Sequence, residues 1–291
     1  MKYGWLICNT LLQGTKYQEI HDLYIESAKL LGITLEVVSN DQILTMINQG
    51  LKLHFTHQPC DFVLFLDKDI KLAQILEANQ IPVFNNSRVI EICDSKIKTH
   101  MVLKDIPCPK TIFAPNLFFD DLSNNLTFRT LLKQQLNYPM VVKEEFGSFG
   151  KQVYLVYNDE ELIELQKQLG CKSHLYQEYI EESSGQDIRV QMVGNKVIAC
   201  VKRHSNDDFR SNATLGGSMS NITPDQSYLD LAYQIQEILQ ADFCGIDLLI
   251  TKKGPLLCEV NSNAHVKNLI ETTNINVCDV IMEYIYERVY K

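Results

Sequence analysis

No pair among the nine cysteines of this 291-residue chain has Cys-x-x-Cys spacing, and several of them lie inside apolar runs. A zinc site or a catalytic thiol is therefore disfavoured, and the thiols read as reduced core residues. The seven scattered histidines offer no ligand spacing to change that. Long apolar runs are absent too, and Met1-Lys2-Tyr3-Gly4-Trp5-Leu6-Ile7-Cys8 enters a strand-like segment at once. The expectation is a cytoplasmic protein that does not engage the membrane. Basic residues are outnumbered, 27 Lys and Arg against 36 Asp and Glu, for a formal charge of -9. That argues against a general nucleic-acid binder while leaving room for a local cationic pocket. Low-complexity tracts and short repeats are missing, as in an ordered globular chain. Finally, no Gly-x-Gly-x-x-Gly or Walker loop follows the first strand pattern, so the N-terminal part either binds substrate or serves as scaffold.

What is present is 45% hydrophobic residues in a chain long enough for two or three compact units around one site. Residues 1–86 alternate strand and helix patterns as an α/β unit does. Strands are expected at Gly4–Cys8, Leu35–Val38, Phe62–Leu66 and Pro82–Phe84, and helices near Lys16–Leu31, Asp41–Gln49 and Asp69–Asn79. A helix from Ser87 to about Lys104, closed by Pro107 and Pro109, carries Lys96 and Lys98. The next unit, 87–182, contains the strand Tyr138–Lys143, the loop Gly147-Ser148-Phe149-Gly150 and an alternating strand through Val153, Leu155 and Tyr157. Glycines let backbone N–H groups approach phosphates and a strand-end lysine neutralises them, although the same pattern suits an ordinary hairpin turn. Leu175–Ile180 is a strand leading into the polar junction Glu181–Gly185, either a linker that walls a nucleotide base or an edge strand.

The last unit, 183–291, opens with a hairpin turning at Gly194-Asn195. A simple two-residue turn puts Arg189 and Lys202 on one face and Arg203 on the other, and a bulge is needed for all three to meet one ligand. The donor-rich segment Asp208–Asn212, ending at Leu215-Gly216-Gly217, reads as a substrate loop or a solvated connection. Asn221-Ile222-Thr223-Pro224 precedes a helix to about Gln240, and Val277–Tyr290 forms an amphipathic closing helix. Between those helices, the apolar runs Gly245–Ile250 and Leu256–Asn261 flank a polar turn at Lys252–Pro255. A turn centred on Lys253 sets Asp247 across from Glu259, with Asn261 on the same face. Two facing carboxylates repel unless a cation lies between them, and Mg²⁺ suits oxygen ligands; the other reading is a surface hairpin with solvated acids.

In order, Val142-Lys143, Gln177-Glu178-Tyr179-Ile180, Asp187-Ile188-Arg189, Asp208-Phe209-Arg210-Ser211-Asn212, Gly216-Gly217, Gly245-Ile246-Asp247 and Glu259-Val260-Asn261 resemble the ATP-grasp superfamily, and within it the RimK-like amino-acid ligases. Each motif is weak alone; the series, spanning about 87–276, is specific. The resemblance implies an ATP-grasp fold behind an N-terminal Rossmann-like domain, α/β (α+β) in class. It implies ADP-forming carboxylate–amine ligation through an acyl phosphate, with ATP and Mg²⁺, or Mn²⁺ in its place. The partners implied are a carboxylate and an amine substrate, an amino acid or peptide.

By the same resemblance, Lys96 and Lys143 hold nucleotide phosphates, Gly147, Ser148, Phe149 and Gly150 close over them, and Gln177, Glu178, Tyr179 and Ile180 line the base. Asp187 contacts the ribose. Arg189, Arg203, Arg210 and Asn212 contact phosphate and acyl phosphate, and Asp247, Glu259 and Asn261 hold the metal. Family members are often oligomers, so a homo-oligomer stays open. The chain departs from the family pattern at Ser262–Lys267, where His265 and Lys267 are candidate substrate contacts, and at Leu215. The rival readings are an inactive ATP-binding regulatory module and a kinase-like transferase.

Overall fold

The computed structural model describes residues 2–12, 14–148, 150–211 and 217–291. The first strands are β1 (Lys2–Cys8) and β2 (Ile33–Ser39), with α1 (Thr15–Leu30) between them. A small hairpin, β3 (Leu44–Ile47) and β4 (Leu51–His54), precedes β5 (Phe62–Phe65), α2 (Ile70–Ala78) and β6 (Val83–Phe84). A parallel sheet forms in the order β2-β1-β5-β6. From Gly4 to Cys8 in β1, and throughout β5, the central strands are apolar because both faces are covered. Leu6 and Leu64 pack towards α1, whereas Trp5, Ile7, Val63 and Phe65 pack towards α2. Each such fully buried side chain contributes about 1.5–3 kcal/mol.

Residues 41–49 do not form the expected helix. Leu44, Met46, Ile47 and Leu51 stay exposed, so no buried stripe rewards a helix, and Gln49 and Gly50 take positive φ to turn the chain.

The second group comprises α3 (Ser87–Asp94), α4 (Lys96–Val102), β7 (Thr111–Phe113), α5 (Leu126–Gln135), β8 (Met140–Glu144), β9 (Val153–Val156), α6 (Asp159–Leu169) and β10 (His174–Glu178). Its antiparallel sheet runs β7-β10-β8-β9. The single helix expected from Ser87 is broken at Ser95, whose hydroxyl caps α4 by accepting the Lys98 N–H at 3.0 Å. The same hydroxyl donates to the Glu145 carboxylate, and the Lys96 N–H reaches the Glu145 carbonyl at 3.1 Å. The break thus fastens the start of α4 to the end of β8.

The third group is β11 (Gln186–Val193), β12 (Lys196–His204), β13 (Ser218–Asn221), α7 (Gln226–Leu239), β14 (Phe243–Leu249), β15 (Leu256–Asn261), α8 (Lys267–Thr273) and α9 (Val277–Tyr290). The sheet order is β13-β12-β11-β14-β15. Asn221 ends β13 and Asp225 takes the N-cap position of α7, because Pro224 keeps the chain extended before it.

Several contacts tie the third group to the first, a shared core and a buried amide among them. Ile281, Met282 and Ile285 of α9 share a core with Tyr24 and Ala28 of α1. Buried Asn85, just past β6, donates to the carbonyls of Phe243 at 2.8 Å and Ser262 at 2.9 Å. Its own oxygen accepts the Asp242 and Phe243 N–H groups at 2.7 and 3.3 Å.

Candidate active site

The site begins with two register shifts. Near the 194–195 turn, Val193 pairs with Lys196 and Met192 with Val197, but Gln191 pairs with Ala199, which leaves Ile198 as an extra residue. Beyond it Arg189 faces Val201 and Asp187 faces Arg203. The shift corrects the simple register: Arg203 joins Arg189 on one face, and Lys202, now opposite Ile188, turns to the other. The second shift is in β14–β15, where Leu249 pairs with Leu256 and Leu248 with Leu257. An unbroken ladder would set Asp247 against Cys258; the bulge inserts Cys258, and Asp247 faces Glu259.

Together the bulges assemble a charged cluster. Asp247 is fully buried and accepts from Arg189 Nε at 2.6 Å and Nη2 at 2.8 Å, and from Arg203 Nη2 at 2.8 Å. Arg203 also grips Asp187 through Nε at 2.7 Å and through Nη2. Burial opposes ionisation of Asp247, but Arg189 and Arg203 outweigh it and push the carboxyl down to about 2. Burial pushes Asp187 up instead, since it shares one guanidinium rather than two. Gly245 makes room for this cluster: a Cβ there would stand 2.7 Å from the Ala264 Cβ and 3.4 Å from Arg189 Cδ.

Asn261 completes the oxygen-donor set. Its Nδ2 lies 3.3 Å from Asp247 Oδ2 and 3.2 Å from Glu259 Oε1, so all three side chains converge on one point. Among the described residues no three of His, Cys, Asp and Glu are grouped so as to hold a metal ion by themselves. Two carboxylates and an amide that presents oxygen on rotation fit a hard ion that takes further oxygens from phosphate and water.

A cleft opens beside this set, lined by Lys68, Cys93, Asp94, Lys96, Thr99, His100, Lys143, Gly147, Cys258, Glu259 and Asn261. Lys96 Nζ donates to the Gly147 carbonyl at 3.3 Å, and Lys143 Nζ lies 3.9 Å from Cys258 Sγ. Burial, then Lys143 and Lys68, push the Lys96 amine down, with Glu259 opposing. Crowded, partly desolvated cations are suited to a polyanion.

The structure brings Lys96, Lys143, Gly147, Glu259 and Asn261 together, with Asp247, Arg189, Arg203 and Asp187 behind them. Arg210 stands apart, clamped to Asp208 at 2.6 Å and donating to the Gly150 carbonyl, so it anchors the far end of the glycine loop. Gly150 has φ +72°, in the left-handed region. Ser148 is exposed and accepts from Lys68 Nζ at 3.1 Å. On the linker, Gln177 is buried, Glu178 is exposed and accepts the Lys110 N–H at 3.3 Å, Tyr179 meets Phe209 edge-on, and Ile180 is half-buried. The expectations on Phe149, Asn212, Leu215 and Gly216 lie outside the described residues.

Lys68 and His100 were not foreseen. Lys68 follows β5 at the carboxyl end of a parallel sheet, where ligands gather, and ion-pairs with Asp94. His100 lies four residues after Lys96 and so shares its helix face.

A family model, the RimK-like ATP-grasp domain, matches residues 93–285. The chain belongs to the RimK-like ATP-grasp family. This ATP-grasp ligase is 32% identical over 229 residues to the glutamate–LysW ligase ArgX of Sulfurisphaera tokodaii, covering 75% of this chain and 77% of that one. It is likewise 32% identical over 229 residues to the uncharacterized protein MG012 of Mycoplasma genitalium, covering 77% and 79%. The crystal structure of a RimK domain ATP-grasp protein from Sphaerobacter thermophilus shares the fold, with a TM-score of 0.70 at 18% identity over 98% of this chain and 99% of that one. ATP-grasp enzymes use ATP and Mg²⁺ and join a carboxylate to an amine. Among the described residues of this ligase, no helix is long and apolar enough to cross a membrane.

Proposed function

We propose that this ligase adds an amino acid, glutamate being the first candidate, to a peptide, a protein or a small metabolite, with ATP cleaved to ADP. The observation that carries the reading is one cleft where lysines from three parts of the chain meet the Asp247, Glu259 and Asn261 donor set. Glutamate is favoured because ArgX is by name a glutamate ligase, and so is a probable alpha-L-glutamate ligase of Vibrio atlanticus, 34% identical over 208 residues.

In this reading Lys68, Lys96 and Lys143 hold the triphosphate, and the N–H groups of Gly147, Ser148 and Gly150 cover it. A substrate carboxylate oxygen attacks the γ-phosphorus, the bond to the β–γ bridging oxygen breaks, and ADP leaves an acyl phosphate. The amine then attacks the acyl carbon, loses a proton, and expels phosphate. Asp247, Glu259 and Asn261 would hold Mg²⁺, which supplies charge neutralisation on the phosphates when bound. Arg189 and Arg203 keep Asp247 ionised and aimed. Covering the acyl phosphate with the glycine loop excludes water that would hydrolyse it. Units 1–86, 87–182 and 183–291 contribute in turn Lys68, the two other lysines, and the donor set.

The test is incubation with ATP, Mg²⁺ and crossed panels of carboxylates and amines. ADP and phosphate should appear only with a productive pair, alongside a product heavier by one amino-acid residue. AMP and pyrophosphate, or a stable phosphorylated product, would overturn the ligase chemistry. ATP binding without turnover, indifferent to Asp247→Asn, would instead favour a regulatory module.

A further inference from the structure

Thr111 fixes the orientation of a buried amide near the nucleotide cleft. Its hydroxyl donates its one proton to the Pro109 carbonyl at 2.7 Å, so towards Gln177 it can only accept. The atom of Gln177 that faces it at 2.9 Å is therefore the amide nitrogen, as observed. The same nitrogen lies 3.3 Å from His100 Nε2. An NH₂ group only donates, so Nε2 accepts and the proton of the neutral ring sits on Nδ1. His100 is 93% buried, the complement of its 7% exposure, and its Nδ1 has no hydrogen-bond partner among the described residues. Yet this side chain lines the cleft, next to Lys143 and Cys258. A buried N–H without an acceptor is costly and calls for an explanation.

We propose that His100 is a specificity-determining residue of the nucleotide site, giving its Nδ1–H to a ring nitrogen of the bound base. The inference rests on the ATP-ligase reading above. A phosphate partner fits less well: burial, then the nearby Lys143 charge, push the imidazole down to about 4, so it meets its ligand uncharged. The lysines and Gly147 already supply the anion-binding side of the cleft. A neutral single donor suits a neutral heterocycle, and a site built to hydrogen-bond a group discriminates against an analogue that lacks it.

The experiment measures equilibrium binding of ATP and of its 1-deaza, 3-deaza and 7-deaza analogues to the full chain. Three proteins are compared: wild type, His100→Leu and His100→Asn, with thermal melting to check folding. Asn places an N–H donor near the position of Nδ1, whereas Leu keeps bulk without polarity. The expected result is about tenfold weaker ATP binding by the Leu variant and recovery of most of it by Asn. One deaza analogue should lose a similar factor on wild type and nothing further on the Leu variant. Wild-type affinity for ATP in the Leu variant, equal loss in Leu and Asn, or wild-type indifference to all three analogues would each overturn the proposal. If the wild-type chain binds no ATP, the ligase reading itself falls and takes this inference with it.

Discussion

Asp247→Asn and Glu259→Gln should separate two roles that the candidate metal set combines. Asp247 has none of its surface exposed and is shared by two arginines at 2.6 to 2.8 Å. Removing one partner of a buried charge pair costs about 3–5 kcal/mol, because the guanidinium charge stays buried without its counterion. The lowered carboxyl gives a second route to the magnitude. The carboxyl falls from 3.8 to about 2 on folding, which is worth about 2–3 kcal/mol at neutral pH. Because the folded value is the depressed one, that stability is complete above the unfolded value and is lost as pH falls from about 4 towards about 2. Wild-type stability should therefore decline across that window more steeply than the variant's. A loss of about 3–5 kcal/mol corresponds to a melting temperature lower by roughly 6–20 °C in a chain of this size. Glu259 is only half-buried and accepts from Asn261 at 3.2 Å, so its neutral replacement should cost within about 1 kcal/mol. Both variants should lose at least about 100-fold in substrate-dependent ADP release. Equal melting temperatures for the two variants, or a wild-type melt for Asp247→Asn, would refute the division of labour.

Lys143→Ala and Lys96→Ala should each raise the KM for ATP by about 10–100-fold, since each removes a charge-assisted contact from the phosphate side of the cleft. Because burial and neighbouring lysines lower the Lys96 amine, ATP affinity should fall on the alkaline side, with Lys96→Arg moving that fall to higher pH in a binding titration. Arg210→Ala frees the Gly150 carbonyl and should raise the KM for ATP by about 3–10-fold with little change in melting temperature. Asn85→Ala abandons three buried backbone groups and one half-buried one and should cost at least about 3 kcal/mol in a denaturant titration.

Much of the scaffold was legible because local pattern and tertiary demand agree. The unbroken apolar strands around Trp5 and Val63 mark a sheet covered on both faces, and Gly194-Asn195 turns where its composition says it should. Residues 41–49 misled because, of their apolar side chains, Ile43 alone is buried while Leu44, Met46 and Ile47 are exposed, which leaves no usable period. The break at Ser95 hides because serine both tolerates a helix and caps one, and the choice is made by distant Glu145. The candidate site was legible in its residue types but not in its register. The pairing of Asp247 with Glu259 was expected from a turn centred on Lys253, whereas the ladder near the turn would give Cys258, and the bulge restores Glu259. Ile198 does the same for Arg203. A bulge answers to packing across the sheet, which no stretch of a single strand reports. Lys68 arrives from the parallel sheet, far from every motif, and only the fold shows that it reaches Ser148.

The four hydrogen bonds of Asn85 bear on how this protein can be dissected. The family match starts at Cys93, eight residues beyond that side chain and well past α1. A fragment trimmed to the match would leave the Asp242 and Phe243 amides and the Phe243 and Ser262 carbonyls without their partner, at the base of the strands that carry Asp247 and Glu259. It would also strip the cover from Ile281 and Met282 on α9. The stretch that announces the enzyme in sequence is thus not one that should fold by itself. Expression trials with it should yield insoluble material whose failure says nothing about catalysis.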